Sequence, residues 1–164
     1  MANYYLLIGS NQGNRKNNIE AALHQIEEFT GKAKAVSSLY ETEAWGLEEQ
    51  PNFLNQAVHV SSHEKPLNFL HKLKTIEKQI GRVETVKWGP RVIDIDILYI
   101  DDQVIDLPEL KIPHQGIYDR NFALIPLMEI AGELTDPVKQ LTVDDLYDDC
   151  QDSREVYIFD ESES

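Results

Sequence analysis

Asp94 and Asp96 lie two residues apart in "KWGPRVIDIDILYI" (87–100), among Val92, Ile93, Ile95, Ile97, Leu98 and Ile100. That run reads as a buried β-strand, and side chains alternate across a strand. The two carboxylates therefore share one face, with Cα atoms roughly 6.5–7 Å apart, while Ile93, Ile95 and Ile97 take the other. Partly dehydrated acids this close repel, and each resists ionisation unless a cation compensates. Arginine can do this, and so can a hard divalent metal. Mg2+ takes one or two protein carboxylates and fills its remaining positions with water and substrate phosphate. The plainer alternative is an exposed strand end on which both acids are merely solvated.

Neighbouring residues bear on that choice. Arg91 lies three residues before Asp94, behind Trp88-Gly89-Pro90, and Arg82 follows Gly81. Guanidinium forks suit phosphate oxygens, and Trp88 offers a flat face for a base or a rigid hinge. Arg82 could equally be a charge at a helix C-terminus. Glu77 falls between Leu73 and Ile80 on an apolar helix stripe, so its carboxylate needs a partner. Downstream, "KIPHQGIYDRNFALIPL" carries His114, Arg120 and Phe122 on one short segment. Phe53 and Asn55 point to one face of an earlier strand, setting an aromatic plane beside an amide that both donates and accepts. Together with Phe122 they could sandwich a flat, hydrogen-bonding heterocycle. "GSNQGN" fits neither a P-loop nor a dinucleotide fingerprint, and no HExxH or G-x-S-x-G occurs.

Charge narrows the partner. The chain carries −14 overall, and residues 133–164 hold 11 of its 29 acidic side chains but 2 of its 15 basic ones. Positions 72–91 reverse the balance, with six basic residues (Lys72, Lys74, Lys78, Arg82, Lys87, Arg91) against two acidic ones. An acidic protein with one cationic stretch fits a small polyanion better than nucleic acid or an anionic membrane. No apolar run approaches the ~20 residues of a membrane span. "MANYYLLIGS" lacks a signal-peptide pattern, and the lone Cys150 belongs to no disulfide or metal motif. A cytoplasmic monomer is the expectation.

The elements that must position these residues follow from periodicity. "YYLLIG" (4–9) reads as a central strand covered on both faces. Ile19, Ala22, Leu23 and Ile26 give a helix stopping at Gly31, and Pro66 opens a second with Leu67, Leu70, Leu73, Ile76 and Ile80. "KAVSSLYET" (34–42) and "FLNQAVHVS" (53–61) alternate as strands. "QVIDL" is expected to pair with the Asp94 strand across the turn at Asp101-Asp102. "FALIPLMEIAG" (122–132) reads as a helix with Pro126 near its first turn. The order β-α-β-β-α-β predicts one α+β domain over 1–160, with 161–164 a frayed tail.

Taken in order, "IGSNQGN", "SSLYETEAWG", "QPNFLNQAV", "IEKQIGR", "KWGPRVIDIDIL" and "IPHQGIYDRNFALIPLMEIAG" resemble the 6-hydroxymethyl-7,8-dihydropterin pyrophosphokinase family of folate biosynthesis. The likeness runs from about residue 4 to 134, and "WGPR-x-x-D-x-D-I" followed by "PH-x(5)-R-x-F" is its specific part. It implies a ferredoxin-like α/β sandwich with a mainly antiparallel sheet and a C-terminal helical extension. It also implies transfer of the pyrophosphoryl group of ATP to the pterin hydroxymethyl group, releasing AMP. By resemblance, Asp94 and Asp96 match ligands for two Mg2+, and with Arg82 and Arg91 they form the catalytic group. Glu77, Arg82, Trp88, Arg91, Ile97, His114 and Arg120 match the ATP site. Thr42, Ala44, Trp45, Phe53, Asn55 and Phe122 match the pterin site. Glu84 stands where many members carry a second arginine, and Gln115 where an aromatic often follows the histidine. Segments 43–52 and 82–90 are expected to close over the substrates. The rival reading is a non-catalytic ferredoxin-like module that senses a small ligand and uses the acid pair as a salt-bridge hub.

Overall fold

The computed structural model describes residues 1–43, 51–81 and 91–159. β1 (Ala2–Ser10) is the central strand, paired antiparallel with β4 (Phe53–Ser62) on one side and β5 (Asp94–Ile100) on the other. Tyr4, Leu6 and Ile8 point to one layer of helices and Leu7 to another, which is why the strand is apolar without alternation. α1 (Arg15–Thr30) and α2 (Pro66–Ile80) cover the first face through Ile19, Ala22, Ile26, Phe69, Leu70, Leu73 and Ile76. Asn14 caps α1 by accepting from Asn17 N–H. Pro66 pre-sets the first turn of α2, and Gly81 ends it at φ 114°, a left-handed conformation that glycine reaches without penalty.

β3 (Tyr40–Thr42) lies on the far side of β4. The order β5-β1-β4-β3 with two crossover helices is the ferredoxin-like arrangement expected. On the second face, α3 (Asn121–Ala131) and α4 (Val143–Asp149) pack Ala123, Leu124, Leu127, Val143 and Leu146 over Leu7, Leu98 and Tyr99. They cover the part of that face around these residues. Among the described residues no helix is long and apolar enough to cross a membrane.

Four expectations need correction. The strand over 34–42 is broken into β2 (Ala35–Val36) and β3, because the Ser37 hydroxyl takes the Ala57 N–H at 2.9 Å in place of a ladder carbonyl. "QVIDL" does not pair with β5. Its Ile105–Asp106 (β6) pairs with Lys111–Ile112 (β7) in a separate two-stranded sheet. The outer edge of β5 is already occupied: Glu77 Oε2 accepts from Ile95 N–H at 2.8 Å, and Leu98 C=O accepts from His114 N–H at 3.0 Å. Pro126 is the sixth residue of α3, beyond its first turn. Finally, the C-terminal extension holds a strand as well as a helix, since β8 (Val156–Ile158) pairs with β3.

A register shift between Tyr5 and Leu6 marks a bulge in the β1–β5 ladder. It lets Leu98 and Tyr99 both serve the α3 side, while Ile97 and Ile100 serve the α1/α2 side. This accounts for the unbroken apolar run after Asp96.

Candidate active site

Residues paired across antiparallel strands point to the same face. The register places Asp94 opposite Gly9, Gly9 opposite Asn55, and Asn55 opposite Tyr40. In the adjoining rows Asp96 faces Leu7 and Phe53 faces Thr42. Asp94, Asp96, Asn55, Phe53 and Thr42 therefore share the face that α3 only partly covers. Strands sit about 4.8 Å apart, so the backbones of Asp94 and Asn55 are about 10 Å apart. Between them lies Gly9, whose missing side chain gives the Asn55 amide room to lie over the strand. A Cβ there would stand 2.5 Å from Asn55 Oδ1.

At the acidic end, Asp96 meets His114. The Gly116 N–H donates to His114 Nδ1 at 3.0 Å, which leaves the ring proton on Nε2, 3.7 Å from Asp96 Oδ1. Burial works against the charged form of Asp96, but the imidazole of His114, then Arg120 and Lys74, outweigh it. The net effect holds the carboxyl below its ordinary value. Arg120 lies over Gly116 so closely that a Cβ at residue 116 would sit 2.5 Å from its Cζ. Arg120 also stands 5.7 Å from the centroid of the Phe122 ring.

Arg91 is fixed through its backbone by Asn11, a buried residue for which sequence reasoning found no role. Asn11 N–H donates to Arg91 C=O at 3.0 Å, and Asn11 Oδ1 accepts from Arg91 N–H at 2.8 Å. Its Nδ2 donates to Pro51 C=O at 3.0 Å. One amide thus joins the residues that follow segments 44–50 and 82–90. The signal in the sequence was an asparagine directly after an apolar strand, too common a pattern to single out.

At the other end, Thr42 Oγ1 and Asn55 Nδ2 are buried with no hydrogen-bond partner among the described residues. Thr42 is 1% and Asn55 4% exposed, so neither atom is compensated by water at the surface. Buried polar atoms left unpaired are costly, and a ligand edge would satisfy them. Phe53 and Phe122 are both half-buried nearby in the fold, on β4 and on the first turn of α3.

Glu77 and Ile97 lie apart from the acid pair. Glu77, 3% exposed, finds its partner in the Ile95 N–H and so anchors the strand bearing the acid pair. Glu77→Ala leaves that N–H buried and unpaired. The expected loss is about 1–3 kcal/mol in a denaturant melt, while Glu77→Gln, which retains an oxygen acceptor, loses much less. Ile97 lies in the α1/α2 core on the opposite face, so its side chain does not join the carboxylates. Arg82, Trp88, Ala44 and Trp45, with Glu84 and Lys87, lie outside the described residues.

Among the described residues no three or more His, Cys, Asp and Glu side chains are grouped to hold a metal unaided. Two carboxylates on one face, one of them kept anionic by its neighbours, are nonetheless a donor set suited to Mg2+ completed by phosphate and water. The face carries His114, Arg120 and Lys74 around Asp96 at one end and, at the other, a buried amide and hydroxyl without a partner among the described residues.

Known proteins resemble the chain over most of its length. A family profile described as 7,8-dihydro-6-hydroxymethylpterin-pyrophosphokinase (HPPK) matches residues 5–132. The 2-amino-4-hydroxy-6-hydroxymethyldihydropteridine pyrophosphokinase of Aquifex aeolicus is 44% identical over 138 residues, 84% of this chain and 86% of that protein. The Bacillus subtilis protein of the same name is 39% identical over 79% of this chain and 78% of its own length. Among solved structures, the Plasmodium falciparum HPPK-DHPS triple mutant with pteroate superposes with a TM-score of 0.70 at 20% identity. That match covers 90% of this chain but 43% of the longer one, and it speaks to the fold alone. The chain belongs to the 7,8-dihydro-6-hydroxymethylpterin-pyrophosphokinase family.

Proposed function

We propose that the protein transfers the β,γ-pyrophosphoryl unit of ATP to the hydroxymethyl oxygen of 6-hydroxymethyl-7,8-dihydropterin, giving the pterin diphosphate and AMP. The observation that carries this reading is the single sheet face on which Asp94 and Asp96 are separated from Asn55 and Thr42 by Gly9. The acid end takes the triphosphate, the amide end takes the edge of the pterin ring, and Gly9 between them gives the Asn55 amide the room it needs.

Pyrophosphoryl transfer asks a protein for little covalent work. It needs positioning and neutralisation of charge. Arg91 and Arg120 grip phosphate oxygens, and the His114 Nε2–H offers a further donor on the same rim. Arg82 and Trp88 join them by the family resemblance. Phe53 and Phe122 stack the pterin while Asn55 Nδ2 and Thr42 Oγ1 meet its hydrogen-bonding edge. Asp94 and Asp96 would hold Mg2+, two ions in all, which supply charge neutralisation across the phosphates when bound.

Gly9→Ala should push the Asn55 amide off its position without filling the nucleotide side. The expected result is a KM for the pterin raised about tenfold or more, with the KM for ATP within about twofold. Steady-state kinetics with each substrate varied in turn checks this. The reaction itself is tested by incubating the protein with ATP, Mg2+ and the hydroxymethyl dihydropterin and resolving the nucleotide products. AMP formed only when the pterin is present is the expected result. ADP, or no pterin-dependent turnover, contradicts the assignment.

A further inference from the structure

The segment beyond the family match, residues 152–159, touches both the start of α3 and β3, and its first contact solves a capping problem. Helices favour Ser, Thr, Asp or Asn at the N-cap because a side-chain oxygen there can accept a first-turn N–H. In α3 the N-cap is Arg120, whose side chain makes no capping hydrogen bond. Asp152 supplies the missing acceptor from 31 residues away: its Oδ2 takes the Asn121 N–H at 3.1 Å. Its backbone C=O takes Asn121 Nδ2 at 2.7 Å, and its Oδ1 takes Arg154 N–H at 3.0 Å. The Asp152 side chain is only 5% exposed. Asn121 is thereby held on both its backbone and its amide, directly between Arg120 and Phe122.

The same segment then runs as β8 along β3, setting Val156 opposite Thr42 and Tyr157 opposite Glu41, and Phe159 N–H donates to Leu39 C=O at 2.9 Å. Arg15, at the start of α1, completes the brace. Its guanidinium lies 5.6 Å from the centroid of the Phe159 ring, and Nη1 donates to Glu41 Oε2 at 2.5 Å and to Asn52 C=O at 2.9 Å.

We propose that residues 152–159 form a positioning strap for the substrate site, in which Asp152 caps α3 so that Arg120 and Phe122 are set for substrate, while β8 holds Thr42 from the other side. The strap rests on the proposed function for the identity of the substrates. Its local consequence does not. Capping normally falls to the N-cap residue itself, and here that residue faces the phosphates instead, so the cap comes from a distant carboxylate. Arg120 is freed for the site at no cost to the helix.

The test compares Asp152→Ala with Asp152→Asn, which keeps an oxygen acceptor for the Asn121 N–H. In Asp152→Ala, KM for both ATP and the pterin should rise about tenfold, with kcat changed less than KM, and Asp152→Asn should restore most of the loss. Amide hydrogen exchange without ligand should quicken at residues 121–124 in Asp152→Ala alone. Unchanged KM values in a folded Asp152→Ala protein overturn the proposal, whether or not its melting temperature falls. So does unchanged exchange at 121–124. Failure of the proposed function shows instead as absence of pterin-dependent AMP from the wild-type protein, and the exchange measurement then decides the strap by itself.

Discussion

Replacing Asp96 with asparagine is expected to lower kcat about a thousandfold, or about 4 kcal/mol of transition-state stabilisation, while the protein stays folded. Asp96 shares its face with Asp94, is paired across the ladder with Leu7, and its carboxyl is held anionic by His114, Arg120 and Lys74 despite burial. A group kept charged against the cost of dehydration is poised to bind a cation. Asparagine keeps the shape and removes the charge, so the loss should fall on turnover rather than on stability. Stability should fall only slightly, because the carboxyl is held below its ordinary pKa and its charge is therefore net favourable in the folded protein, while one of two neighbouring anions is gone. AMP release and a thermal melt measured on the same preparation check both halves. Turnover within tenfold of wild type would sink the assignment of Asp96.

The largest expected effect on stability lies elsewhere, at Asp136. This carboxylate is fully buried and accepts four hydrogen bonds. The Tyr99 hydroxyl lies at 2.6 Å and the Tyr118 hydroxyl at 2.8 Å from Oδ2, while Val138 and Lys139 N–H lie at 2.8 and 2.9 Å from Oδ1. It ties the C-terminal extension to β5, the strand carrying the acid pair. Asp136→Ala strands two phenols and two N–H groups at once, with an expected loss on the order of 3–5 kcal/mol and a melting temperature lowered by about 10 °C. Burial works against the charged carboxyl, yet the bonds from Tyr99, Lys139, Tyr118 and Val138 outweigh it and hold its pKa below the ordinary 3.8. With the folded value depressed, the stabilisation is complete above 3.8 and is lost as pH falls through the folded value. Wild-type stability should therefore drop on acidification below about pH 4, and Asp136→Asn should show a shallower drop over that window. Parallel slopes for the two proteins would contradict this role for the carboxylate.

How far these features could be read in advance depends on the range of the interaction. The strand period of two put Asp94 and Asp96 on one face, and the structure agrees, because that relation is local. Glu77 stood out as an acid on an apolar stripe, but its partner, the Ile95 N–H, exists only because β5 lies at the edge of the sheet. The closeness of Gly9 to Asn55 is a matter of register between strands whose sequences lie 46 residues apart, and nothing local specifies it. The break at Ser37 has no local signature, because a hydroxyl replacing one ladder bond leaves the alternation of the flanking residues intact. β8 has three residues, too few for any periodic signal. Asp152 looked like one more acid in an acidic tail, since its role as a cap is visible only once α3 is beside it.

The central claim is that the acid pair holds magnesium against a triphosphate, and a crystal grown with Mg2+, the pterin and a non-hydrolysable ATP analogue tests it most directly. Metal density about 2.0–2.1 Å from carboxylate oxygens of both Asp94 and Asp96 and from phosphate oxygens is the expected result. Nucleotide bound at full occupancy with no metal touching either carboxylate would contradict it.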